Sequence, residues 1–125
     1  AQYTQGTTFL LQDYREALSM ARAGDLVYCD PPYSYSQRIL YGAQAFDLRE
    51  LFDIISQGKA RGVAIALSLD GTKRSGEQLC DVSLPPGLFE REIFIHCGRS
   101  MLRRFQMDGQ TLEQEVVSDR LLLTY

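Results

Sequence analysis

Residues Leu26 to Tyr35 read LVYCDPPYSY. The first four form a short apolar run, opened by Gly24-Asp25 and closed by Pro31 and Pro32. This is the pattern of a buried parallel strand, although four residues also suit a buried helical segment. The prolines end the run, because neither donates to a ladder and each biases its predecessor toward extended backbone. An acid, two prolines and an aromatic therefore stand just past a strand's carboxyl end, which is where open α/β sheets bind ligands.

The chemistry suited to these four residues is capture of a planar ring bearing an amine. The Asp30 carboxylate accepts one N–H of such an amine and the Pro31 carbonyl accepts the other. Tyr33 offers a flat face for stacking, and the two prolines fix the three groups relative to one another. With both N–H groups held by acceptors, the nitrogen lone pair is left available for attack. The same tetrapeptide also reads as a plain turn after a strand.

Asp30-Pro31-Pro32-Tyr33 resembles the catalytic motif of the amino-methyltransferases, D/N/S-P-P-Y/F/W, in the Asp form typical of enzymes acting on adenine N6. Phe9-Leu10-Leu11-Gln12-Asp13-Tyr14, followed by Gly24 to Asp30, is similar to the run leading into that motif in Dam-type N6-adenine DNA methyltransferases. Phe46 with the helix after it, Arg99-Ser100, and Asp119 to Tyr125 are similar to later blocks of the same family. The resemblance implies a catalytic role for Asp30, Pro31, Pro32 and Tyr33, with S-adenosylmethionine held beside Asp13, Tyr14 and Asp30. It implies double-stranded DNA with a flipped adenine as substrate. Tyr35, Arg38, Arg99, Arg103 and Arg104 are the candidate substrate contacts. No metal is implied.

Composition bounds the rest. At 125 residues and 45% apolar, the chain has core enough for one domain. No apolar run approaches the roughly 18 residues of a membrane span, and no basic-then-apolar targeting segment opens the sequence. Cys29, Cys80 and Cys97 are odd in number and widely spaced, which suits buried thiols in a reducing, cytoplasmic compartment better than disulfides or zinc. A net charge of −3 is not that of a self-sufficient DNA binder, but local patches rather than totals hold phosphate.

Along the chain, Thr7–Leu11 is β-prone and predicts a strand. Asp13 is an N-cap with Glu16 three residues on, the pattern of a capping box, and Tyr14, Ala17, Leu18 and Ala21 recur at helical spacing up to Gly24. Ser34 to Ala45 has no period and predicts a loop over the site. Asp47 caps a second helix, with Glu50 at its third position, Phe46 ready to staple against Leu51, and Leu48, Leu51, Phe52 and Ile55 as its apolar stripe. Gly58 to Gly62 turns the chain, and Val63–Leu69 is the clearest buried strand. Strand, helix and strand in this order predict a parallel crossover. Lys73–Cys80 suggests a short helix and Pro85-Pro86-Gly87 a turn. Leu88–Cys97 and Glu115–Tyr125 predict strands that pair antiparallel at the sheet's edge. His96 has no acid or serine motif around it and reads as a satisfied or surface residue. Arg99, Arg103 and Arg104, interleaved with Met101, Leu102 and Phe105, suit either a surface hairpin tip or phosphate contact.

The fold expected is α/β: part of a Rossmann-like class I methyltransferase sheet, mostly parallel, with an antiparallel C-terminal edge hairpin, in a single catalytic-domain fragment spanning residues 1–125. The family's glycine-rich cofactor turn, F-x-G-x-G, is not in this sequence, and there is no room before Thr7 for its target-recognition segment. The resemblance thus covers the C-terminal half of such an enzyme. Its partner would be the missing N-terminal half or a second copy of the chain, without which no methylation is expected. Two other readings of the residues stand beside this one: an amino-methyltransferase acting on RNA or protein, and an inactive remnant used for binding or dimerisation.

Overall fold

The computed structural model describes residues 2–32, 46–70, 83–96 and 118–125. Within them the elements run α1 (Tyr14–Met20), β1 (Leu26–Cys29), α2 (Leu48–Ala60), β2 (Ala64–Asp70), β3 (Arg91–His96) and β4 (Ser118–Leu123), after a short 3-10 turn at Gln2–Thr4. The strands form one sheet in the order β1-β2-β4-β3. β1 pairs with β2 in parallel, from Leu26 opposite Ala64 to Cys29 opposite Leu67. β4 lies antiparallel to both β2 and β3. Mixed α/β architecture and the terminal antiparallel pair agree with expectation. A mostly parallel sheet does not, since the described strands make one parallel and two antiparallel pairings. Parallel neighbours need a crossover of a dozen or more residues, and the one joining β1 to β2 contains α2.

The clearest sequence signals became the best-packed elements. α2 begins at Asp47, whose carboxylate accepts the Arg49 N–H at 2.9 Å, and it buries Leu51, Phe52 and Ile55. It continues through Gly58 to Ala60 and reverses at Arg61-Gly62, where Gly62 takes a φ of +85° that a side chain would strain. Pro85-Pro86-Gly87 is a turn as expected, pinned by Lys59, whose ammonium donates to the Gly87 and Leu88 carbonyls and to Glu90. Ile55, Ile65, Leu67 and Leu122 are fully buried, each contributing roughly 1.5–3 kcal/mol on removal from water. Thr124 closes this core: its amide donates to the Ile65 carbonyl and its hydroxyl accepts the Ile65 N–H, both at 3.0 Å.

Other expectations fail in and around α1, β1 and the start of α2. Thr7–Leu11 is not a strand, and Phe9, Leu10 and Leu11 are 81%, 64% and 105% exposed. A β-prone run needs a neighbour to pair with, and none of the described strands takes it. β1 forms where expected but as an edge strand, with Leu26 and Tyr28 exposed and only Val27 and Cys29 packed against the core. Neither capping box closes. Asp13 accepts the Arg15 N–H at 2.8 Å, as Asp47 accepts that of Arg49, while Glu50 reaches across to α1. α1 stops at Met20 because Ala21 turns extended, with Gly24 (φ +92°) only later in the connection. The expected helix at Lys73–Cys80, the loop at Ser34–Ala45 and the arginine segment at Gly98–Gln110 lie outside the described residues, as does the side chain of His96.

Candidate active site

Hydrogen bonds establish which ends of these elements meet. The Gly24 N–H donates to the Gly62 carbonyl and the Ala64 N–H to that of Asp25, so β1 and β2 start together. Arg61, just after α2, donates to the Leu18 carbonyl near the end of α1 at 3.1 Å. Both helices therefore finish where both strands begin. At the opposite end, the carboxyl end of β1, the first turns of α1 and α2 come together.

Asp30 leaves β1 at this end, followed by Pro31 and Pro32. Asp30 is exposed, and its carboxylate has no hydrogen-bond or ion-pair partner among the described residues. Pro31 is half-buried, which anchors the exposed Asp30 and Pro32 on either side. Cys29 is half-buried beneath them, and burial pushes its thiol up to about 11, so it stays protonated and inert at neutral pH.

Beside this end stands a polar cluster that joins the two helices. The Arg15 guanidinium binds Glu50 in a two-pronged pair, Nε to Oε1 at 2.7 Å and Nη2 to Oε2 at 2.6 Å. Its remaining Nη1 donates to Asp13 Oδ2 at 2.9 Å, and its carbon lies 4.8 Å from the centre of the Tyr14 ring. The Tyr14 hydroxyl donates to Glu50 Oε2 at 3.3 Å, and the ring sits 5.7 Å from that of Phe46. The hydrogen bond from Arg15 holds Glu50 below the usual carboxylate range, and Glu50 in turn raises Arg15. Burial first, with the neighbouring Glu50 and Asp13 carboxylates adding to it against the opposing Arg15 charge, raises the Tyr14 phenol.

Of the residues singled out from the sequence, Asp30, Pro31, Pro32, Asp13 and Tyr14 share this end of the sheet. Tyr33, Tyr35, Arg38, Arg99, Arg103 and Arg104 lie outside the described residues. Arg15 was not singled out, and Glu50 was read only as a capping residue. Their opposite charges in the first turns of two helices flanking one strand were the available signal. A shallow hollow lined by Phe52, Lys59 and Pro85 to Leu88 lies toward the other end of α2 and touches none of these groups.

A family model of D12 class N6 adenine-specific DNA methyltransferases matches residues 1–73, which is 73 of the 125. The chain belongs to that family. The match spans α1, β1, the Asp30-Pro31-Pro32-Tyr33 stretch, α2 and β2. No curated protein and no solved structure matches the chain. No helix among the described residues is long and apolar enough to cross a membrane.

Proposed function

We propose that this chain is the catalytic part of a larger enzyme that transfers a methyl group from S-adenosylmethionine to the N6 amine of adenine in DNA. The observation that carries the reading is an open carboxylate, Asp30, followed by a half-buried proline at the carboxyl end of a parallel strand. The amine of a paired adenine lies inside the duplex, so the base must be extruded to reach it. Asp30 and the Pro31 carbonyl then each accept one N–H of the amine, which orients the nitrogen and frees its lone pair. Tyr33 stacks on the extruded base, a contact worth roughly 1–3 kcal/mol.

The residue types fit the cofactor in part. The half-buried Tyr14 and Phe46 rings form an aromatic surface suited to an adenosine group, and the open Asp30 carboxylate suits a polar or cationic one. Asp13 has both oxygens engaged by Arg15, so contact with the cofactor there requires sharing or exchange. When bound, S-adenosylmethionine supplies the activated methyl group. Tyr35, Arg38, Arg99, Arg103 and Arg104 serve as base and phosphate contacts. The glycine-rich turn comes from another part of a longer polypeptide.

In the complete enzyme, Asp30→Ala is expected to lower turnover by about 100-fold or more while DNA affinity changes little, because the lost acceptor acts mainly in the transition state. Turnover within about threefold of wild type would remove Asp30 from the reaction.

A further inference from the structure

We infer that Glu50 is a positioning residue of this site, fixing the first turn of α1, and with it Tyr14, beside the carboxyl end of β1. The inference rests on the reading above, in which Tyr14 lies next to the cofactor.

α1 has seven residues and buries only Leu18. A helix this short does not hold its place by its own hydrogen bonds. Its far end is tied down by Leu18 in the core and by Arg61 on the Leu18 carbonyl. Its first turn has the Asp13 cap, which is internal to α1, the Tyr14–Phe46 ring contact and Glu50. Glu50 is therefore the polar tie between this turn and α2, the longer helix that packs its stripe into the core. Its geometry suits that role. A two-pronged guanidinium–carboxylate pair fixes angle as well as distance, which a lysine or a single hydrogen bond does not. The same carboxylate takes the Tyr14 hydroxyl, and the guanidinium it orients lies over the Tyr14 ring, so one side chain constrains Tyr14 at both edge and face. The pair is half exposed, 47% for Arg15 and 41% for Glu50, and surface pairs of this kind add little to global stability. What the pair does determine is where an aromatic ring stands, and a ring moved off a ligand's face loses the contact it makes with that ligand.

The test uses the complete enzyme, with S-adenosylmethionine binding measured by calorimetry in the absence of DNA, alongside steady-state kinetics and thermal melting. Glu50→Ala is expected to weaken cofactor binding about tenfold and raise the cofactor KM to match, with kcat within about threefold and the melting temperature nearly unchanged. Adding Arg15→Ala to Glu50→Ala is expected to add little, because the two act as one unit. Glu50→Gln, which keeps one acceptor for Arg15, is expected to fall between wild type and Glu50→Ala, and covers the case in which the alanine variant folds poorly. Cofactor affinity within twofold of wild type in both Glu50 variants would overturn the inference. If that result accompanies an inactive Asp30→Ala enzyme, this inference fails alone. If instead Asp30→Ala keeps full turnover while Glu50→Ala weakens cofactor binding, the proposed reaction fails and the positioning role stands.

Discussion

β1 and β2 are parallel neighbours built from similar residues, and the structure treats them differently. β2 has Ile65 and Leu67 at 0% exposure, while β1 leaves Leu26 at 64% and Tyr28 at 62%. The difference lies in their neighbours. β2 is flanked by β1 and β4 and covered by α2, whereas β1 pairs with β2 alone among the described residues. An apolar run shows what environment a strand is suited to, but only the strands beside it supply that environment. Asp30 follows the strand that, among the described residues, pairs on one side only, and not the one in the core.

The largest expected effect is in β2. Ile65→Ala should destabilise the chain by about 2–5 kcal/mol in urea unfolding, since the fully buried side chain leaves a cavity under α2. A loss under about 1 kcal/mol would mean that β2 is not the organising strand.

A smaller effect is expected on β1. Tyr28→Thr keeps strand propensity and should cost less than about 1 kcal/mol, while reducing self-association measured by light scattering, because an exposed apolar edge invites pairing between chains. A loss as large as that of Ile65→Ala would show another segment packed over β1 and would abolish the contrast between the two strands.

The smallest effect is electrostatic and lies beside β1. Glu50 in the folded chain sits below the ordinary carboxylate value because of Arg15, so its contribution is present above the unfolded value of about 4.3 and is lost as pH falls through the lowered folded value. The melting temperatures of wild type and Glu50→Gln should therefore differ slightly at neutral pH and converge under acid. A gap of unchanged size near pH 3 would place the effect outside the Arg15–Glu50 pair.

What was legible in the sequence follows the same division. β1, α2, β2 and the Pro85-Pro86-Gly87 turn appear where local signals put them, because a capping aspartate, a 3.6-residue stripe or a proline pair acts within a few residues. Asp30, Pro31 and Pro32 follow directly on β1, where the end of the apolar run put them. Thr7–Leu11 and the exposure of β1 were not legible, since both depend on which strand lies alongside. Glu50 was misread because its partner Arg15 is 35 residues away, and a side chain in a capping position can turn outward to a stronger partner.

The reaction we propose puts the methyl group on the N6 amine of adenine in DNA. The most direct measurement incubates the complete enzyme with DNA and isotopically labelled S-adenosylmethionine, then digests the DNA and identifies the labelled nucleoside by mass spectrometry. The prediction is label on adenine N6 with the wild-type enzyme and at least about 100-fold less with Asp30→Ala. Label on cytosine, or equal label on adenine from both enzymes, would contradict it.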